Sequence, residues 1–193
     1  MKKILLALMS IALMAGSVSA QQKHEKSYQR IQVGYGRIGI EVEDMMNGPS
    51  LIWTKGISLH HKTPVYLQFG ANAFYGSGTG NYADTKFISV NIPVAVAYQF
   101  TKTFSLYGGL NTRGNILGKR GTEDGWDGLG DKNDSDDWFS GEDAAKRFNF
   151  GYILGVNFTH NRFTWGLEYV RDFTEFMPLY RLSYIGISAG IKF

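Results

Sequence analysis

The chain contains no cysteine. This absence excludes a disulfide framework, a thiolate-ligated zinc site and catalysis by a cysteine nucleophile. Charged residues are also scarce, at 19% of the chain, against about 25% in ordinary soluble domains. After the N-terminal segment, no apolar run approaches the roughly 18 residues that indicate a membrane-spanning helix. The sequence therefore predicts neither a disulfide-stapled secreted domain, nor a cysteine enzyme, nor a helical membrane protein.

Motifs of catalysis are missing as well. The chain has no P-loop, no HExxH zinc motif and no dinucleotide-binding fingerprint. Residues 76–80 read Gly-Ser-Gly-Thr-Gly, which indicates a flexible loop and lacks the order of a nucleophile elbow. We therefore expect no enzymatic activity, no cofactor and no metal site. The histidines lie beside predicted tight turns or before the first predicted strand: His24, His60, His61 and His160.

The first 20 residues have the pattern of an export signal. Lys2 and Lys3 precede an apolar run over residues 4–16, and Val18-Ser19-Ala20 supplies small residues before a cleavage point. The apolar run is shorter than the about 20 residues that a spanning helix needs. Residues 1–20 are thus predicted to be a cleaved signal peptide.

Removal of that segment also changes the charge of the chain. The formal net charge of +3 includes Lys2 and Lys3, so the mature chain is almost balanced. A basic nucleic-acid-binding surface is therefore not predicted. We expect a short periplasmic segment over residues 21–28 and a single domain over residues 29–193.

Apolar and polar side chains alternate along most of the remaining chain. A period of two is the pattern of a strand with two different faces, and the 24 glycines and 15% aromatic residues suit strands joined by turns. The phase breaks near Arg37, which predicts a bulge or an interrupted strand there. Pro93 lacks the backbone N–H of a ladder, so a bulge is predicted at that position. The predicted strands are 31–42, 53–61, 65–76, 87–100, 104–118, 148–159, 162–174 and 182–193.

The two faces of these strands indicate a barrel that lies in a membrane. A tilted strand crosses a bilayer with about 9–11 residues, and several of the predicted strands are at least that long. Along 182–193, Ile185 and Ile187 share one face, while Gly186 and Ser188 share the other. A soluble sandwich would carry many more lysines and glutamates on its polar face. The favoured fold is an all-β, eight-stranded antiparallel up-and-down transmembrane barrel with an apolar exterior and a polar lumen.

Loop lengths and aromatic residues are expected to follow the same membrane asymmetry. Short and long connections alternate, as in barrels with tight periplasmic turns and long extracellular loops. The short connections are 62–64, 101–103 and 160–161, and the longer ones are 43–50, 77–85, 119–146 and 175–180. One predicted aromatic girdle beside the turns comprises Phe100, Phe104, Phe158, Phe163 and Phe193, and the other beside the loops comprises Trp53, Tyr75, Phe148 and Phe173.

Two predicted strands resemble those of a known family. Residues 184–193 alternate apolar side chains up to Phe193, and they resemble the C-terminal signal that the outer-membrane barrel assembly machinery reads. Residues 90–100, with Ile92-Pro93 inside the strand, resemble the outer membrane protein β-barrel domain family, the small porin-like barrels of the OmpX and OmpA type. The resemblance implies an outer-membrane location and supplies no catalytic residues. The acidic segment at 119–147 matches no pattern of that family.

Charged residues predicted to face the lumen form the first candidate site. Arg113, Glu168 and Asp172 fall on lumen-facing positions. A charge in a narrow lumen must be paired or hydrated. We expect a network of paired side chains that fills the lumen, and a small gated ion path is the alternative. Polar residues predicted on the same face are Gln68, Asn72, Asn111 and Asn157.

The predicted loop at about 119–147 is the second candidate site. It holds nine acidic and five basic residues, and Trp126, Trp138 and Phe139 within it are expected to contact a partner. Residues 131–137 place oxygen-bearing side chains at alternate positions, but the glycine and the glutamate of a calcium loop are missing. Weak cation binding is therefore the lesser alternative to a solvated loop.

The sequence thus predicts a non-catalytic outer-membrane barrel with a structural or surface-interaction role through its extracellular loops. The expected partners are outer-membrane lipid, the barrel assembly machinery, and an extracellular protein or glycan, with no nucleic acid. Two alternatives stay open at this point. One is a narrow porin-like channel for ions or very small solutes, and the other is a soluble periplasmic lipocalin-like ligand binder.

Overall fold

The computed structural model describes residues 26–40, 44–60, 63–79, 84–120, 146–176 and 181–193. The predicted signal peptide, most of the predicted periplasmic segment, and residues 121–145 lie outside the described residues. Within the described part of the chain, no helix is long and apolar enough to cross a membrane.

Eight antiparallel strands in the described residues form a closed barrel, in which each strand pairs with its neighbours along the chain. The predicted eight-stranded barrel is confirmed. The ring closes between β8 and β1, where the backbones of Gln29 and Phe193 exchange hydrogen bonds of 2.7 and 2.9 Å. The strands are β1 (Ser27–Ile40), β2 (Asp44–Ser58), β3 (Val65–Thr79), β4 (Asp84–Gln99), β5 (Phe104–Arg120), β6 (Phe148–His160), β7 (Phe163–Asp172) and β8 (Leu182–Lys192).

The side chains alternate between an apolar exterior and an enclosed lumen. Val33, Leu110 and Ile187 point outward and are 65%, 67% and 64% exposed. Inward positions are buried and are mostly polar, glycine or aromatic. Because the ring is closed, the strands leave no unpaired sheet edge.

The barrel has two ends that differ in their connections. Ser27 and Phe193 lie at the end that we call the terminal end, and the opposite end is the loop end. The terminal end carries the connections 59–64, 100–103 and 161–162, and the loop end carries 41–43, 80–83, 121–147 and 173–181.

The predicted strict alternation of short and long connections is wrong. β2 begins at Asp44, so most of the predicted loop 43–50 is strand. β3 and β4 extend in the same way into the predicted loop 77–85. At the loop end, only the connections at 121–147 and 173–181 are longer than every turn at the terminal end.

The early start of β2 has a physical cause in its neighbours. Asn47-Gly48-Pro49 is typical of a turn, yet Pro49 pairs with Tyr35 of β1. Gly48 lies so close to β3 that a Cβ atom there would be 1.9 Å from the carbonyl oxygen of Tyr75. Pairing with both neighbouring strands therefore overrides the local turn preference.

Neither predicted bulge is present. β1 pairs in unbroken register through Arg37. The sequence pattern breaks there because the lumen-facing side chains change from polar residues to Ile38, while the strand itself continues. The register is also unchanged across Pro93. The irregularity in these strands lies elsewhere: Ile88 pairs with Leu117 and Ser89 with Asn115, so Ile116 is an extra residue on β5.

Trp53 does not belong to the girdle beside the loops. Because β2 starts early, Trp53 lies in the half of that strand nearer the terminal end. Its ring contacts Phe69 at a centroid distance of 6.2 Å. Trp53 therefore extends the aromatic girdle at the terminal end.

Inward glycines make room for inward tyrosine rings on the adjoining strand. Gly56 lies opposite Tyr28, and Gly155 lies opposite Tyr107. A Cβ atom at either glycine would be 2.3 Å from the tyrosine ring. In a narrow eight-stranded barrel, this pairing lets a large ring lie flat across the lumen wall.

Candidate functional site

Apolar and aromatic side chains cluster in the lumen toward the loop end, and we call this cluster the apolar cap. None of its members is more than 1% exposed. Edge-to-face contacts join Phe87 to Phe176 at 5.9 Å and Phe74 to Tyr184 at 5.4 Å between ring centroids. The cap consists of Ile38, Met46, Phe74, Phe87, Val170, Phe176, Leu182 and Tyr184.

The middle of the lumen holds a buried carboxylate with neutral partners. Glu168 on β7 accepts hydrogen bonds from the side-chain amide of Asn72 and from the hydroxyl of Tyr107, the latter at 3.2 Å. These donors come from β3 and β5, so the carboxylate ties together strands on different sides of the ring. Hydrogen bonds to a charged acceptor are stronger than neutral ones, and this arrangement fixes the carboxylate in place.

A buried cation lies nearer the terminal end. Arg30 on β1 donates to Gln68 Oε1 at 2.8 Å and contacts the Tyr28 hydroxyl at 3.2 Å. The Tyr28 hydroxyl in turn donates to the same Gln68 oxygen at 3.0 Å. The three side chains form one triangle across β1 and β3.

A buried ion pair lies nearer the loop end than Glu168, because along β7 the cap residue Val170 separates Glu168 from Asp172. Arg113 Nε and Asp172 Oδ2 are 3.3 Å apart, and both side chains are fully buried. The two terminal nitrogens of Arg113 have no hydrogen-bond partner among the described residues. Amide pairs surround this level of the lumen: Asn91 with Asn111 at 3.1 Å and Asn115 with Asn149 at 2.7 Å.

The polar lumen encloses a small cavity. It has a volume of about 10 Å³ and is bordered by Arg30, Gln68, Asn157 and Glu168, among others. A cavity of this size holds about one water molecule. The polar side chains that border this cavity therefore leave room among them for about one water molecule.

Residues 8–193 match the model of the outer membrane protein beta-barrel domain. The chain belongs to this family. The predicted outer-membrane location is thereby confirmed, and the apolar exterior of this outer membrane barrel faces lipid. The lipocalin-like alternative, which requires a polar exterior and an apolar lumen, is wrong.

The solved structure of another outer membrane protein shares the fold. Ail of Yersinia pestis, in complex with the heparin analogue sucrose octasulfate, has a TM-score of 0.55 at 14% identity over 88% of this chain and 100% of Ail. Neisserial surface protein A has a TM-score of 0.48 at 15% identity over 87% of this chain and 96% of that one. None of the curated protein sequences is a significant match. At these identities, the likeness concerns the fold alone.

The predicted lumen residues of this outer membrane barrel are all buried, but they do not form one cluster. Arg113 and Asp172 pair with each other, whereas Glu168 is hydrogen-bonded to Asn72 and Tyr107. Phe193 is 62% exposed on the outer surface beside β1. The predicted loop contacts Trp126, Trp138 and Phe139 lie outside the described residues.

Sequence reasoning missed Arg30 and the apolar cap. Arg30 was accessible from the sequence, because Tyr28, Arg30 and Gln32 alternate in phase with the rest of β1. The predicted strand starts at residue 31 and so leaves Arg30 out. No comparable signal in the sequence indicates the cap, because its members are apolar although they occupy lumen-facing positions, where polar residues are expected.

Clusters of metal-ligating side chains are absent from the described part of the barrel. No set of three or more histidine, aspartate or glutamate side chains comes together there. The acidic residues with an oxygen-rich pattern, 131–137, lie outside the described residues.

Proposed function

We propose that this outer membrane barrel is a non-catalytic, non-conducting scaffold that presents its loop-end connections, chiefly 119–147, to an extracellular protein or glycan. The apolar cap is the observation that supports this proposal. Ions cross a membrane only along a hydrated path, and the cap places seven buried apolar side chains and the buried Tyr184 ring in the lumen. The orientation follows the family rule that longer loops face the outside.

The polar lumen supports the scaffold role in a second way. Buried charges that are paired or hydrogen-bonded within the protein hold a structure together, whereas a conduction path needs polar groups that remain free to solvate an ion. Glu168 and Asp172 each have a protein partner. The lumen therefore resembles a core that bears polar groups.

Planar-bilayer recording of the refolded mature protein tests the scaffold proposal. We expect no steady ion conductance from the wild type, and none from the variants Arg113→Gln and Glu168→Gln. A steady conductance in the wild type that either variant alters would contradict the proposal.

That contrary result would support a narrow channel, which is the second candidate. The unpaired terminal nitrogens of Arg113 favour it, because they mark polar groups that the described protein side chains leave unsatisfied. A channel would also require the apolar cap to move aside. We therefore expect any conductance to rise when Phe87 or Phe176 is replaced by alanine.

The charge of the segment 119–147 restricts the partner class. The segment contains nine acidic and five basic residues, so its net negative charge repels a polyanion. The heparin analogue bound in the Ail structure is such a polyanion, and this ligand class does not suit the present chain. Trp126, Trp138 and Phe139 offer flat rings that pack against sugar rings or apolar protein side chains.

A binding experiment with defined probes tests this loop role. The barrel in lipid nanodiscs is applied to immobilised neutral glycans and to heparin. We expect retention on a neutral glycan, exclusion from heparin, and loss of retention in the triple variant Trp126→Ala/Trp138→Ala/Phe139→Ala. The control is His60→Ala, at the terminal end. Preferential heparin binding, or undiminished glycan binding by the triple variant, would refute the assignment.

Two further proposals concern biogenesis. We infer that residues 1–20 direct export and are then cleaved, and that Phe193 with its alternating strand is recognised by the barrel assembly machinery. Phe193 lies outside the ring on the apolar surface, where an assembly factor can reach it. Replacement of Phe193 by alanine should lower the amount of barrel in the outer membrane, while refolding of the purified variant in detergent proceeds.

A further inference from the structure

The small cavity in the polar part of the lumen, which we call the central cavity, is bordered by two buried charges of opposite sign. Arg30 of β1 and Glu168 of β7 both line it, and they are 3% and 7% exposed. The hydrogen bonds of each side chain go to other, neutral residues, so the two charges do not contact each other directly. The cavity volume of about 10 Å³ is enough for about one water molecule. A single small molecule can therefore reach both charges.

Three buried N–H donors border the central cavity and have no hydrogen-bond partner among the described residues. They are Arg30 Nε, Asn91 Nδ2 and Asn157 Nδ2, and their side chains are no more than 3% exposed. One terminal nitrogen of Arg30 is held by Gln68 and Tyr28, which fixes the guanidinium. A buried donor without an acceptor costs free energy. The occupant of the cavity must therefore accept hydrogen bonds.

The Glu168 carboxylate adds the opposite requirement. One of its oxygens accepts a hydrogen bond from Asn72, and the other accepts one from Tyr107. An ionised carboxylate has about four lone-pair sites, so each oxygen has the capacity for a further donor. The occupant of the cavity must therefore also donate.

Water is the ligand that meets both requirements. Its oxygen accepts from N–H groups, and its two hydrogens donate to acceptors. An anion would be repelled by the Glu168 carboxylate, and a cation would be repelled by the Arg30 guanidinium. Buried waters in proteins typically make about three hydrogen bonds to polar groups that would otherwise be unsatisfied. The central cavity offers such a set of groups.

We propose that one buried water molecule occupies the central cavity and bridges Arg30 Nε to the Glu168 carboxylate. The water accepts a hydrogen bond from Arg30 Nε and a second one from the amide of Asn91 or Asn157, and it donates to Glu168. The result is a water-mediated ion pair between β1 and β7. This site does not depend on whether the loops bind a partner.

The bridge joins two groups of side chains that have no direct hydrogen bond to each other. Arg30, Tyr28 and Gln68 form the triangle on β1 and β3, whereas Glu168 is held by Asn72 and Tyr107. With the water between them, these groups become one network that includes β1, β3, β5 and β7. Members of such a network affect stability jointly. Loss of Arg30 and loss of Glu168 should therefore not have independent effects.

A crystal structure of the detergent-refolded wild type tests the water itself. The crystals are grown with bromide, and the resolution must show ordered waters. We expect one water peak within about 3.2 Å of both Arg30 Nε and a Glu168 carboxylate oxygen. A cavity without a peak, a peak that contacts only one of the two side chains, or an anomalous bromide signal at this position would overturn the proposal.

A double-mutant cycle tests whether the bridge couples the two charges. Arg30→Met and Glu168→Gln are compared, singly and together, by urea-induced unfolding in detergent. We expect the unfolding constant of the double variant to be about tenfold smaller than the two single effects predict when multiplied, which corresponds to about 1.4 kcal/mol of coupling.

The matched control replaces an exposed arginine on the same strand. Arg37→Met combined with Glu168→Gln should give simple multiplication of the two effects, because Arg37 lies on the outer surface. Multiplication in the Arg30 cycle as well would overturn the water-mediated pair. Coupling without a water peak would also overturn it, because the two charges would then interact directly. The crystal structure needs only the wild type, so it decides the matter even if Arg30→Met does not fold.

Discussion

The two halves of the lumen are built by the same eight strands, yet their chemistry is opposite. The apolar cap is packed with apolar and aromatic side chains, whereas the polar part of the lumen, which on β7 reaches Asp172 at the loop end, holds an ion pair, a hydrogen-bonded carboxylate and a buried arginine. Both halves use the alternate residues of each strand. Alternation therefore decides which side chains enter the lumen, but it does not decide what kind of interior they form.

The difference also separates two ways of stabilising a narrow barrel. The apolar cap gains free energy from close packing and needs no partner geometry. The polar half depends on specific pairs, so the loss of one member leaves the other unsatisfied. The expected response to the loss of one member of a buried charged pair is therefore larger and more specific than the response to a substitution in the cap.

The largest expected effect comes from the buried ion pair. Asp172→Ala leaves the Arg113 guanidinium buried without its counter-charge, and such a loss costs about 3–5 kcal/mol. Urea-induced unfolding in detergent measures the change. The exposed Arg37→Ala is the control, with a change of about 0.5 kcal/mol or less. Equal effects from both variants would show that the pair contributes nothing specific.

A substitution in the apolar cap should lower the free energy of unfolding slightly less, on average, than Asp172→Ala does. Leu182→Ala removes a fully buried side chain and leaves a cavity, with an expected loss of about 2–5 kcal/mol. The same unfolding assay applies, with the exposed turn residue Leu59→Ala as its control. If Leu182→Ala lowers the free energy of unfolding by less than Leu59→Ala does, the cap is loosely packed, and the contrast between the cap and the polar part of the lumen fails.

An added methyl group tests the contact between glycine and tyrosine. Gly155→Ala places a Cβ atom 2.3 Å from the Tyr107 ring, and overpacking of this kind costs about 1–3 kcal/mol. Gly114→Ala, whose nearest neighbour would be 3.8 Å away, should have little effect. The prediction fails if both variants unfold at the same urea concentration.

The smallest expected effect concerns a neutral hydrogen bond. Gln32 Nε2 donates to Ser188 Oγ at 3.1 Å, and Ser188→Ala should cost about 0.5–1.5 kcal/mol. Tryptophan fluorescence during urea titration resolves such a change. If Ser188→Ala costs as much as Asp172→Ala, the distinction between neutral and charged pairs in the polar half is wrong.

Sequence reasoning predicted the ring of eight strands and its two faces, because lipid imposes one apolar face over the full length of each strand. The outward residues Ile185 and Ile187 illustrate this point. Strand ends were less predictable. Gly48 and Pro49 favour a turn locally, but β2 continues through them because β1 and β3 pair on either side.

The lumen contacts were only partly predictable. Spacing alone places Arg113, Glu168 and Asp172 inside, but which of them pair depends on the stagger between distant strands. Glu168 meets Asn72 of β3 across the lumen rather than on an adjoining strand. No local pattern encodes such a contact, and the same holds for the ring contacts of the apolar cap.

The close approach of Tyr28 and Tyr107 to a glycine has a consequence for how such a barrel can change over evolutionary time. Gly155 can gain a side chain only after Tyr107 has become smaller, and a tyrosine can arise only opposite a residue that is already small. The two positions therefore constrain each other's substitutions, although they are 48 positions apart in the chain. In related barrels, the two sites should vary together, so that a large residue at one accompanies glycine at the other.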